Sequence, residues 1–153
     1  MEGYSQYFTF EDLTKSERHP DLVPQNRIDA EQFKDSGVRL SMLLEKIRYI
    51  LGDKPIIVNS GFRNEALNEA VGSTAKSSSH LRFEAADVVH SVLSIEEAFD
   101  ALMKAKKDGE LPNLRKVLQE GTWLHIEVGA DEDDYRGFFI SHDGNRTWER
   151  VDC

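Results

Sequence analysis

Apolar residues recur at two different spacings along this chain, and the change from one to the other divides it into helices and strands. From Phe33 to Leu51 the positions Phe33, Leu40, Leu43, Leu44, Ile47, Ile50 and Leu51 fall on one face of a helix. Asp29-Ala30-Glu31-Gln32 opens that helix and Gly52 ends it. A second amphipathic stretch carries Ile95, Ala98, Phe99, Ala101, Leu102 and Ala105. Ser94-Ile95-Glu96-Glu97 starts it as a capping box and Asp108-Gly109 stops it. Two shorter helices are predicted. Over residues 8–13, Thr9 caps and Phe8 packs on Leu13; over residues 64–71, Gly72 supplies the stop. Between the first short helix and the long one lies an irregular stretch containing prolines.

Strands account for the remaining apolar runs. Pro55-Ile56-Ile57-Val58 reads as a short buried strand, and a second is expected at about 85–89. Residues 73–79 are small and polar, a loop that delivers His80 to the edge of that second strand. Towards the C-terminus, strands are predicted at 117–120, 123–128, about 137–141 and 147–151, with Asp143-Gly144 as a hairpin turn. Helices lead and antiparallel strands follow, so the fold class is α+β, one domain over residues 1–153 with helices on a small, mainly antiparallel sheet. The acidic run Asp131-Glu132-Asp133-Asp134 reads as a solvated loop, because it lacks the Gly and Glu spacing of a calcium loop.

Composition narrows the chemistry. The formal charge of -9 disfavours nucleic acid, whose binding depends on Lys and Arg neutralising phosphates. No apolar run approaches the roughly 20 residues needed to span a bilayer, and the first dozen residues lack the basic and apolar regions of a secretion signal. The expectation is a protein made in the cytoplasm, without a membrane partner, and a monomer. Cys153 is the only cysteine, which excludes an intramolecular disulfide and a thiolate metal site. Any metal must therefore sit on His and carboxylate ligands. His80 and Asp87 stand seven positions apart and His125 lies in a later strand. Three N or O ligands that leave a fourth position open for water, whose pKa the metal lowers to about 7, describe a catalytic zinc site.

The surrounding residues resemble the zinc D-Ala-D-Ala carboxypeptidases and their relatives among phage endolysins and stem-peptide endopeptidases, a family that shares its metal site with the hedgehog signalling domain. Ser78, His80, Ala85 and Asp87 match the motif S-x-H-x-x-G-x-A-x-D, and Trp123-Leu124-His125 matches W-x-H. Upstream, Ser60-Gly61-Phe62-Arg63 and the short helix after it are similar to the family's S-G-[YF]-R segment. Tyr7 to Thr14 is similar to a common family start, so the resemblance covers about residues 7–128. One position departs: Phe83 stands where the family has Gly, which puts the local loop shape or the pocket size in question.

The resemblance implies a hedgehog/D-Ala-D-Ala peptidase-like fold with one Zn2+ per chain on His80, Asp87 and His125. It implies hydrolysis of peptide bonds in peptidoglycan stem peptides, either at a terminal D-Ala or at an internal bond such as L-Ala-D-Glu. Glu120 is the candidate general base, with Glu127 as rival; Glu127 shares a strand face with His125 and serves equally as its hydrogen-bond partner. Arg63 is expected to meet a substrate carboxylate or a developing oxyanion. Ser78 would orient the site, and Trp123 would line the pocket or fill the core. His19, His90 and His142 match nothing and are read as non-ligands. A D-Ala-D-Ala dipeptidase ranks lower because Leu124 separates Trp123 from His125. Without a visible secretion signal, a phage or prophage lytic enzyme acting at the bacterial cell wall is the favoured setting. The alternative of a different class is a module that keeps the metal for binding, without turnover.

Overall fold

The computed structural model describes residues 3–73 and 78–152. Residues 74–77, the middle of the predicted 73–79 loop, and Cys153 lie outside the described residues.

Among the described residues, four α-helices and six strands follow one another as α1 (Val23–Ala30), α2 (Lys34–Ile50), β1 (Ile56–Ser60), α3 (Glu65–Ala70), β2 (Ala85–His90), α4 (Ile95–Lys107), β3 (Leu114–Glu120), β4 (Trp123–Val128), β5 (Gly137–Ile140) and β6 (Glu149–Arg150). The strands form one sheet in the order β1-β2-β4-β3-β5-β6. Every pairing is antiparallel except β3 with β5, so the fold is α+β with a mainly antiparallel sheet, as expected.

Strand alternation gives the sheet two unlike faces. Val88, Leu124, Ile126, Val128 and Val117 are buried in the core, which also contains Leu40, Leu43, Leu44 and Ile47 of α2 and Ala98, Phe99, Leu102 and Ala105 of α4. Asp87 and His125 are directly opposed in the β2–β4 register, and their side chains emerge on the other face. The helices thus form a rigid back wall, and the polar residues of β2 and β4 face away from it.

Local capping sets the element ends. Ser94 Oγ accepts from the Glu97 N–H at 3.1 Å while a Glu97 carboxylate oxygen accepts from the Ser94 N–H at 3.0 Å, the predicted capping box. Asn64 caps α3 by accepting from the Leu67 N–H at 2.8 Å.

Three predicted elements differ. The long helix was expected to open at residue 29, but a 3-10 turn at Pro20–Leu22 runs into α1, and a second 3-10 turn at Glu31–Phe33 leads into α2. Prolines in a first turn remove an N–H that has no partner there anyway, so Pro20 and Pro24 start helical structure where they were read as interrupting it. The helix predicted over 8–13 is a single turn. Thr9 does cap it, accepting from Asp12 N–H at 3.1 Å, and Phe8 and Leu13 are both buried. It stops because the Leu13 carbonyl accepts from Phe62 N–H at 2.7 Å instead of continuing the helix. At the far end, Asp143 does not sit in a two-residue hairpin: its carboxylate collects the N–H groups of Arg146 and Thr147, withdrawing them from the ladder and reducing β6 to two residues.

Candidate metal centre

His80 enters on a 3-10 turn, Ser79–Arg82, immediately before β2. Ser78 Oγ accepts from the His80 N–H at 3.2 Å, so the serine caps the turn that carries the histidine. The ring is then oriented by backbone. His80 Nδ1 lies 2.7 Å from the Gly61 carbonyl and donates to it, which turns Nε2 towards Asp87 Oδ2 at 3.3 Å.

Phe83 ends the turn with φ +61°, the left-handed region that a Gly would occupy without strain. The turn therefore survives the substitution. Its side chain is fully buried and packs on Phe62 at 5.4 Å and Tyr4 at 6.3 Å between ring centroids, behind the site and not within the cleft. Gly37 makes room for it, since a Cβ there would stand 2.7 Å from the Phe83 ring.

His125 is oriented by side chains. Its Nε2 lies 2.8 Å from Glu127 Oε2 and donates to it, and its Nδ1 faces Asp87 Oδ1 at 3.0 Å and Glu120 Oε1 at 3.5 Å. Glu120 reaches this side because β3 and β4 meet at the Gly121-Thr122 turn, where Gly121 supplies φ +71°, and because Leu118 pairs with His125. Residue 120 thereby shares the face of His125. The ligand atoms of His80, Asp87 and His125 all lie within 4.8 Å of one another, and all three residues are buried.

This donor set fits a zinc-type ion. Tetrahedral bonds of about 2.0–2.1 Å require ligand atoms roughly 3.3 Å apart; His80 Nε2 stands 3.3 Å from Asp87 Oδ2 and His125 Nδ1 3.0 Å from Asp87 Oδ1. Burial alone would raise the Asp87 carboxyl, but the His80 charge and hydrogen bonds from His125 and His80 hold it well below the usual carboxylate range. Burial alone would lower His125, yet its hydrogen bonds to Asp87 and Glu127 raise it to about 9. Such a pocket attracts positive charge. Glu120 moves upward because burial outweighs the attraction of His125. Glu127 goes the other way: the His125 hydrogen bond and the charges of His125, Lys116 and Arg115 overcome burial and hold it at about 2.

A cleft of about 560 Å³ opens beside Asp87 and is lined by Lys15, Arg18, Ser60, Arg63 and Trp123 among others. Arg63 donates its backbone N–H to the His80 carbonyl at 3.1 Å, and its Nε, like Trp123 Nε1, is buried without a hydrogen-bond partner among the described residues. Buried Asn26 fixes this segment from behind. Its Nδ2 donates to the carbonyls of Thr14 and Phe62, both at 3.0 Å, and its Oδ1 accepts from Asn64 N–H at 2.7 Å. The structure therefore brings together Arg63, Ser78, His80, Asp87, Glu120, Trp123, His125 and Glu127.

The other histidines stand elsewhere. His90 donates to Leu51 O and accepts the Val92 and Leu93 N–H groups on Nδ1; His142 is exposed in the β5–β6 loop. The acidic run is not simply solvated, since Asp134 pairs with Arg115 at 3.4 Å and Arg136 at 3.6 Å. Sequence reasoning missed Asn26 and Arg115. A signal for the second existed: Leu114-Arg115-Lys116-Val117 breaks strand alternation with two adjacent cations.

Among the described residues no helix is long and apolar enough to cross a membrane. A comparison with curated proteins found no match. A model of the Peptidase M15 family matches residues 6–127.

Proposed function

The chain belongs to the Peptidase M15 family of metallopeptidases, and on that premise we propose that it hydrolyses peptide bonds in peptidoglycan stem peptides with one zinc ion held by His80, Asp87 and His125. Family members are generally zinc-dependent. The observation that carries the reading is the convergence of those three ligand atoms beside an open cleft, with Glu120 on the same face, 3.5 Å from His125 Nδ1.

The chemistry supplied by a bound zinc is Lewis acidity, which polarises a carbonyl and makes water acidic near neutral pH. The chain's residues supply the rest. Glu120 is the general base: it takes a proton from water and passes it to the leaving amine, a role its position 3.5 Å from His125 Nδ1 on the same face of the sheet allows. Glu127 is the partner of His125, because both of its oxygens are engaged away from the metal-facing nitrogen. Arg63, which lines the cleft and whose Nε has no partner among the described residues, binds a substrate carboxylate or the developing oxyanion.

Lys15, Arg18 and Arg63 place three cations along the cleft of a chain whose formal charge is -9. That lining, with Glu17 and Asp87 as its acidic members, favours a substrate bearing carboxylates, as stem peptides do. The setting proposed is the bacterial cell wall.

The test is digestion of purified peptidoglycan with mass analysis of the fragments, with and without a chelator and with His80→Ala as control. New stem-peptide fragments that vanish on chelation and in the variant support the reading, and their masses name the bond. Zinc bound in full with no fragments from a broad set of walls contradicts it and favours a binding module.

A further inference from the structure

Between the two histidine regions sits a buried arginine that neither contacts the cleft nor belongs to the matched motifs. Arg115 is 4% exposed, and each part of its guanidinium is engaged. Nε donates to Glu127 Oε1 at 3.0 Å; one terminal nitrogen donates to Ser79 Oγ at 3.1 Å and Glu84 Oε1 at 3.3 Å; the other donates to Asp134 Oδ2 at 3.4 Å.

A β-bulge puts it there. The β3–β4 register passes from Leu114 opposite Val128 to Lys116 opposite Glu127, so Arg115 is the extra residue and two residues of β3 answer one of β4. Leu114 and Val117 remain in the core, while Arg115 and Lys116 both reach Glu127, the lysine from 3.4 Å. In a regular strand one of these cations would have turned towards the helices.

We propose that Arg115 is the positioning residue of the metal centre, linking both histidine ligands through one planar group. Through Glu127 it fixes the carboxylate that accepts from His125 Nε2, so that Nδ1 is turned to Asp87. Through Ser79 it pins the 3-10 turn one residue before His80, and through Glu84 the residue after Phe83. An arginine suits this task because its fork holds several acceptors in fixed directions, which the single ammonium of a lysine does not. Arg115 touches neither substrate nor metal and acts through its neighbours.

The inference rests on the zinc reading above, and the experiment separates the two. Zinc affinity of the chelator-stripped full chain is measured by competition with a chromophoric chelator for wild type, Arg115→Met, Arg115→Lys, Glu127→Gln and Arg115→Met/Glu127→Gln. Leu102→Ala, in the core behind the sheet, serves as a control of lowered stability. Arg115→Met is expected to weaken zinc binding by roughly 10–100-fold, the usual loss when an outer partner of a metal ligand is removed. The double variant should be no weaker than the worse single one, Leu102→Ala should bind like wild type, and the His125 Nε2–H resonance should lose its exchange protection in Arg115→Met. If Arg115→Met does not fold, Arg115→Lys carries the test with the same expectation of at least a few-fold loss. Wild-type affinity in the arginine variants, multiplied losses in the double variant, or an equal loss in Leu102→Ala overturns the proposal. Absence of zinc binding by wild type overturns the zinc reading and this proposal with it.

Discussion

His80 and His125 present nitrogens to one point from two differently built regions. His80 rides on a 3-10 turn, and its ring is held by the backbone carbonyl of Gly61, whose segment is tied by Phe62 N–H to Leu13 and by the Phe62 carbonyl to Asn26. His125 sits in a regular strand, and its ring is held by Glu127, which is held by Arg115. One region is a mount made of fold and the other a mount made of side chains. Damage to the first should therefore cost stability and metal together, whereas damage to the second should cost mainly metal.

Gly61→Ala should give the largest effect. An added Cβ would stand 2.3 Å from the Leu13 carbonyl oxygen, a backbone atom that cannot rotate away. Overpacking typically costs about 1–3 kcal/mol, and this contact should exceed that range. Thermal denaturation and zinc content should both fall sharply; an unchanged melting temperature would show that the Gly61 mount is not part of the fold.

Phe83→Ala comes next, still on the backbone mount. Removing a buried Phe costs about 3–5 kcal/mol, and the left-handed φ of +61° remains for the alanine. Phe83→Gly loses the same side chain but relieves a strain of about 1 kcal/mol. Denaturant titration should therefore find the glycine variant more stable than the alanine variant. The reverse order would mean that residue 83 is not strained.

On the side-chain mount, Glu127→Gln keeps an acceptor oxygen and the packing. Zinc affinity should drop roughly 10–100-fold with a melting temperature close to wild type, as read by chelator competition and thermal unfolding. A stability loss as large as that of Gly61→Ala would erase the distinction between the mounts.

The difference between the mounts also explains what could be read in the sequence. Ser94 announced its helix because a cap acts on residues three positions away, whereas the cap that Asn64 makes on α3 emerged only in the structure. Strand alternation put Glu127 on the face of His125, which left it either a rival general base or that histidine's hydrogen-bond partner, and the candidate ligand set came from the family resemblance of the motifs. The Gly61 clamp on His80 spans 19 residues and uses a backbone atom, so no side-chain pattern signals it. Arg115 stayed hidden because two adjacent cations look like the end of a strand, and the strand was begun at Val117; only the bulge shows both pointing one way. The Thr9 turn promised a helix that the Leu13 carbonyl, taken by Phe62, does not continue.

Smaller effects bound the comparison from outside both regions. Ser94→Ala removes a helix cap remote from either histidine and should cost about 1 kcal/mol in unfolding experiments without changing zinc affinity. At the β5–β6 edge, burial would raise the Asp152 carboxyl, but hydrogen bonds from Arg150, the Tyr135 hydroxyl and Phe138 N–H hold it at about 2. Its folded value is depressed, so the stability it contributes is present above the ordinary Asp value of about 3.9 and is lost as pH falls through about 2. Asp152→Asn should flatten the acid limb of a stability profile over that window, and an unchanged limb would remove Asp152 from the account.

The most direct test of the central claim is zinc content and peptide turnover measured together on Glu120→Gln. One equivalent of zinc retained while turnover falls about 10²–10⁴-fold is the result expected when a general base is removed from an intact centre. Wild-type turnover in this variant, or loss of zinc along with activity, would contradict it.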